Sequence, residues 1–193
     1  RFKAGAQGHG YVVNFGCHYI DTSRFLAGQD PAAITALIDN RFSQGVIPED
    51  QFVITCKCRD GAIITIGLYG TPEHQPAPRN GYTIHGTEGV IGAYWRPNEL
   101  LITKSGSDPK SVEYDDDLRE HSAWYRLHRD FRASIIDDTE TPITGRDGML
   151  NVQWALGAYL ADEQRQWVDL PLGPEYYEYA GPTLHETIPP AES

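Results

Sequence analysis

Two stretches of this chain alternate apolar and polar residues with a period of two. Gln51 to Cys58 reads QFVITCKC, and Ala62 to Tyr69 reads AIITIGLY. That period predicts half-buried strands, because successive strand side chains point to opposite faces. Arg59-Asp60-Gly61 separates them. Asp-Gly between two such runs predicts a hairpin, since both residues tolerate positive φ. AAITALIDNRF predicts another strand, near 33–41. YTIHG, VIGAYW and ELLITK predict three more, near 82–86, 90–95 and 99–103. The acidic stretch SGSDPKSVEYDDD reads as an exposed loop with room for one edge strand.

Helical spacing governs the remainder. In CHYIDTSRFLAG, Tyr19, Ile20, Phe25 and Leu26 supply an apolar stripe. Gly28 stands where a helix C-terminal glycine belongs, and Pro31 reinforces the stop. Trp124, Leu127, Phe131 and Ile135 predict an amphipathic helix near 121–137, with Arg126, Arg129 and Arg132 on a solvated side. Thr144 precedes Asp147 by three residues, a capping arrangement for a helix near 147–163. This last helix is apolar almost all round, which predicts burial between the sheet and other helices. The Pro-rich tail beyond Leu172 reads as extended. Strands outnumber crossover helices, and tight turns join them. The expected fold is α+β: one open, mainly antiparallel sheet with helices packed on one face and the other face available for oligomerisation.

Composition narrows the function classes. Across 193 residues, 40% are hydrophobic and 22% charged, which excludes a mostly disordered chain. The net charge of −11 argues against a nucleic-acid partner and against docking on an anionic membrane. No apolar run approaches the ~20 residues that a bilayer requires. The start, Arg1-Phe2-Lys3, lacks Met and resembles no signal peptide, so a cut end and a cytoplasmic location are expected. Three cysteines make no disulfide framework, and Cys56 and Cys58 read as buried free thiols on one strand face. The seven histidines include no H-E-x-x-H and no compact ligand spacing, so no metal site is expected.

One polar constellation invites a chemical reading. Asn14, His18 and Asp21 stand at i, i+4 and i+7, which places them on one helix face. A histidine there can pass a proton, with the carboxylate orienting its ring. From spacing alone, a His and an Asp that merely cap or brace a helix are the favoured reading, because such a pair is common and carries no motif specificity.

Four pieces of the sequence, in order, resemble one family. GHGYVVNFGCHYIDTSRFLAG is similar to the segment G-G-x-x-x-D-x-G-x-H-x-x-D of the glucose–fructose oxidoreductase, inositol dehydrogenase and MocA family. YTIHGTEGVIGA resembles its I-x-G-T-x-G strand–turn–strand. DFRASIIDDTETPITGRDGMLNVQWALGAYLA and WVDLPL resemble its last helical region and its closing V-x-L-P. The resemblance implies the C-terminal substrate and oligomerisation domain, residues 1–172, followed by a tail, 173–193. It implies an NAD- or NADP-dependent oxidoreductase of a sugar, polyol or related compound, assembled as a homodimer or homotetramer. The family's N-terminal dinucleotide-binding domain, with its G-x-G-x-x-G loop and E-K-P lysine, is expected outside this chain. The cluster GAQGHG follows no strand and has no acidic partner ~20 residues on, so it does not replace that loop. The chain alone is therefore expected to be inactive. By the same resemblance His18 is the catalytic residue. Asn14 is a substrate contact at a position that is acidic in the family, Asp21 a further contact or brace, and Lys3 a residue within reach of the site. The competing reading is a non-catalytic sugar-binding or assembly module of the same fold.

Overall fold

The computed structural model describes residues 10–41, 49–69, 80–96, 98–113 and 122–176. In chain order the elements are a π-helical turn (Val12–Gly16), α1 (Cys17–Ala27), β1 (Pro31–Asp39), β2 (Gln51–Cys58), β3 (Ile63–Tyr69), β4 (Asn80–His85), β5 (Gly89–Arg96), β6 (Asn98–Lys104), β7 (Lys110–Ser111), α2 (Ala123–Asp137), α3 (Gly145–Gln164), β8 (Val168–Asp169) and a short 3-10 turn (Pro174–Tyr176). The chain divides into two compact units, Arg1–Pro72 with Ile143–Ser193, and Glu73–Pro142. The α+β class and antiparallel pairing agree with expectation. The single sheet does not: the strands form two four-stranded sheets, β3-β2-β1-β8 and β4-β5-β6-β7.

In the first unit, register explains the core. Ile34 lies opposite Cys56, Ala36 opposite Ile54 and Ile38 opposite Phe52 on β1 and β2. Ile54 in turn faces Ile66 on β3. With a period of two, these positions all project to one face. Val12 and Ile20 from the first helical stretch, and Trp154, Ala158 and Tyr159 from α3, complete one hydrophobic cluster with them. Each fully buried Ile, Phe or Val there contributes roughly 1.5–3 kcal/mol relative to exposure. Cys56 and Cys58 are buried free thiols, as expected, and burial pushes Cys56 up to about 12.

Local signals end the elements where the sequence places them. Gly28 takes φ 67° and its N–H caps the Arg24 and Phe25 carbonyls. At the β2–β3 hairpin only Gly61, at φ 94°, is left-handed; Asp60 instead accepts the Ala62 N–H at 2.9 Å. That is a three-residue loop, not the two-residue turn in which Asp60 also needs positive φ. Thr144 and Asp147 form a reciprocal capping box, with the Thr144 N–H donating to Asp147 Oδ2 at 2.8 Å. Pro31 opens β1 instead of standing clear of it, as a strand's first residue can dispense with its N–H.

Three burial expectations are corrected. In α1 the buried residues are Ile20 and Ser23, while Phe25 is 83% exposed. In α3 only the second half is buried broadly, and Met149 and Val152 in the first half are exposed. In α2 the predicted stripe of Trp124, Leu127, Phe131 and Ile135 is exposed throughout, while Ser134 is buried. Helical spacing orients such a stripe but does not provide the layer that covers it.

Candidate functional site

The helix carrying Asn14 and His18 is anchored at its start by a carboxylate from another part of the chain. Glu49 is 2% exposed. Its Oε1 accepts the Val12 N–H at 3.0 Å and the Tyr159 hydroxyl at 2.6 Å. The first N–H groups of a helix have no intrahelical acceptor, and a carboxylate there also complements the helix dipole. Gly10 permits the close approach, because a Cβ at that position would collide with the Glu49 carboxylate. Burial pushes the Glu49 carboxyl above its ordinary value, against the opposing hydrogen bonds from Tyr159 and Val12. Burial and then the Glu49 charge push the Tyr159 hydroxyl up as well.

From this anchor the backbone runs through the π turn before α1 begins. A π turn closes i to i+5 bonds, so a simple i, i+4 alignment of Asn14 with His18 does not carry through it. Such turns occur frequently at functional sites. Asn14 sits inside the turn and is half-buried, and His18 is exposed in the first turn of α1. Among the described residues, none hydrogen-bonds either side chain. Both are available to a ligand.

Asp21 is engaged elsewhere. Its Oδ1 accepts the Asn151 amide at 3.1 Å and lies 3.6 Å from Arg24. Arg24, with only 11% of its side chain exposed, also pairs with Asp30 and, at 3.2 Å, with Asp147. No hydrogen bond joins Asp21 to His18, so the expected ring-orienting pair does not form in this structure. The guanidinium within reach is a charge-assisted partner, and Asp21 helps tie α1 to α3. Lys3 lies outside the described residues. Among the described residues no three His, Cys, Asp or Glu side chains cluster as a metal site, and no helix is long and apolar enough to cross a membrane.

The supporting residues Glu49, Tyr159, Arg24 and Asn151 carry no sequence signal. Glu49 and Tyr159 stand 110 positions apart, and Asp21 and Asn151 stand 130 apart. One cue was available: the glycine just before the helix, Gly10, hints at a close neighbour.

Residues 2–170 match the family model described as the oxidoreductase family, C-terminal alpha/beta domain. No curated protein matches the sequence. Among solved structures the chain is similar to a levoglucosan dehydrogenase in complex with NADH, with a TM-score of 0.72 and 18% identity over 86% of this chain and 51% of that one. It is also similar to an aldose-aldose oxidoreductase from Caulobacter crescentus complexed with glycerol, at a TM-score of 0.71 and 18% identity over 84% and 48% of the two chains. A third is an oxidoreductase from Agrobacterium radiobacter in complex with NAD+, L-tartaric acid and magnesium, at 0.68 and 21% over 84% and 51%. The chain thus spans about half the length of these structures, and at such identities the likeness is one of fold.

Proposed function

The chain belongs to the glucose–fructose oxidoreductase, inositol dehydrogenase and MocA oxidoreductase family as its C-terminal alpha/beta domain, and from that premise we propose that it binds the substrate and mediates assembly in an NAD(P)-dependent oxidoreductase of a sugar, polyol or related hydroxy compound. In this reading residues 1–172 are the substrate domain and 173–193 a tail. The nicotinamide cofactor is held by a separate N-terminal dinucleotide-binding domain outside this chain, and supplies the hydride chemistry. The described residues do not fit a dinucleotide pyrophosphate. The helix start that follows Gly10 already has Glu49 on its Val12 N–H, and a second anion there would compete with that carboxylate.

The observation that carries the proposal is the pairing of a rigid anchor with unengaged polar groups. Glu49 and Tyr159 fix the start of the helical stretch, while Asn14 and His18 leave their side chains free for a ligand. His18 accepts the proton of a substrate hydroxyl on a ring nitrogen, or returns it. Asn14 hydrogen-bonds a hydroxyl but holds no proton, because an amide has no titrating group. Asp21 braces the helix through Asn151 and Arg24.

Association is proposed through the open sheet of the second unit. Ile84, Ile91 and Ile102 form a row across β4, β5 and β6. Ile91 and Ile102 are exposed, as is Trp95. Burying that face in a homodimer or homotetramer removes it from water. The three free thiols favour a reducing, cytoplasmic location.

The test is turnover in the intact protein, read as formation of reduced nicotinamide with a panel of sugars and polyols. His18→Ala is expected to lower kcat by about 10²–10⁴-fold, the range for a general acid or base. Asn14→Ala is expected to raise KM with a smaller change in kcat. A His18→Ala enzyme within a few-fold of wild type would overturn the catalytic assignment. Asn14, standing where the family pattern has an acid, favours a second reading as a sugar-binding or assembly module. That reading predicts ligand binding with no turnover even in the intact protein.

A further inference from the structure

A cleft lies within the first unit, at the opposite end of α1 from Asn14 and His18. It encloses about 340 Å³ and is lined by both apolar and charged side chains. That volume suits a small organic molecule. Trp154 and Leu170, 2% and 7% exposed, form part of an apolar wall. Arg59, from the β2–β3 hairpin, and Arg146, from the first turn of α3, also line it.

The two arginines at the cleft are not balanced by internal pairs. Asp30 is the one carboxylate lining it, and Asp30 is bound by Arg24. Gln29 donates to Asp60 at 2.6 Å. Neither Arg59 nor Arg146 has a hydrogen bond or ion pair with any other residue among the described ones. In a chain of net charge −11, two guanidiniums without a carboxylate partner at one cleft are a specific feature. Both residues are exposed, and their planar guanidinium forks match carboxylate geometry. A third group adds to this. Gln153 lines the same cleft, and its Oε1 is shielded from water with no partner among the described residues. A buried acceptor left without a donor is costly, and a ligand hydroxyl satisfies it.

We propose that this cleft binds a small hydroxy acid, with its carboxylate on Arg59 and Arg146, its hydroxyl donating to Gln153, and its apolar body against Trp154 and Leu170. The site is separate from the one proposed above. α1 is 11 residues long, about 16 Å at 1.5 Å per residue, and the cleft lies past its C-terminal end at Gln29 and Asp30. Binding here requires neither a cofactor nor turnover, so it stands or falls independently of the oxidoreductase reading.

The test is calorimetric titration of the full chain with mandelate, which combines a carboxylate, a hydroxyl and an apolar ring. Saturable binding is expected with a Kd of about 1 mM or tighter, equivalent to roughly −4 kcal/mol. Arg59→Gln and Arg146→Gln should each weaken it about tenfold or more, while Arg132→Gln on α2 leaves it unchanged. Phenylacetate, lacking the hydroxyl, should bind several-fold more weakly, and benzyl alcohol, lacking the carboxylate, should not bind. Circular dichroism of the variants verifies that they fold. No saturable binding of mandelate, equal binding by the arginine variants, or equal binding of phenylacetate would overturn the proposal.

Discussion

β2 and β5 occupy corresponding inner positions in their sheets, and both strands are rich in apolar residues. β2 buries Phe52, Ile54, Cys56 and Cys58. β5 buries only Gly92 among its described residues and leaves Ile91 and Trp95 in water. All the buried hydrophobic residues of the described chain fall in the first unit, where α3 packs along β1. The second unit has an apolar sheet face and an apolar helix stripe, and both are exposed. The comparison teaches that alternation chooses a face, whereas burial needs a second layer against that face. The first unit has its layer within the chain. The second has an unburied apolar surface, which is the basis for proposing that it is an assembly surface.

The strongest way to break this comparison is a tryptophan truncation in the core of the first unit. Trp154→Ala removes a core side chain of the first unit and is expected to cost about 3–5 kcal/mol in urea unfolding followed by circular dichroism. If Trp154→Ala costs no more than a surface substitution, the first unit does not have the core assigned to it.

Next in size is the buried anchor. Glu49→Ala removes the acceptor of the Tyr159 O–H and of the Val12 N–H, at about 1–3 kcal/mol for each lost bond. Glu49→Gln sharpens the point through pH. Burial raises the folded pKa of Glu49 above its ordinary 4.5. Its stabilising contribution is therefore fully present below that value and lost as pH rises through the folded pKa. Urea midpoints for the Glu49→Gln variant should show less of that loss. A wild-type and variant profile of identical slope would show that Glu49 does not titrate in this way.

A smaller effect belongs to the α3 capping box. Thr144→Ala is expected to cost about 0.5–2 kcal/mol, measured by the same unfolding. Here the pH dependence has the opposite sign. The Thr144 backbone N–H and hydroxyl, then the Arg24 guanidinium, hold Asp147 down to about 2. Its contribution is present above the ordinary carboxyl value and lost as pH falls towards 2. Asp147→Asn should flatten the acid limb, whereas Glu49→Gln should flatten the limb above the ordinary carboxyl range.

The smallest effects are expected in the second unit. Tyr82 meets Trp95 edge to face at 5.6 Å, and Tyr82→Ala should cost about 0.5–1.5 kcal/mol for the ring pair. Trp124→Ala, at a side chain 73% exposed, should change chain stability by less than about 0.5 kcal/mol. A large loss for Trp124→Ala would mean that the α2 stripe is covered in solution, and light scattering would then show whether a second copy covers it.

Short-range signals in the sequence determined the local structure. The period-two runs produced β2 and β3, Gly61 closed their hairpin, Gly28 ended α1, and Thr144 with Asp147 began α3. Each rests on residues within a few positions of one another, where backbone geometry dictates what can touch. The family pattern likewise singled out Asn14 and His18 from residues close in sequence. Tertiary structure decided the rest. A strand's alternation does not name its neighbour, so the division into two sheets was invisible. Helical spacing at Asn14, His18 and Asp21 did not disclose the π turn or the Arg24 and Asn151 contacts that engage Asp21. Glu49 reaches Val12 and Tyr159 only because the folded chain brings together segments 37 and 110 positions apart. Such contacts follow from the packing of whole elements, and no local pattern encodes them.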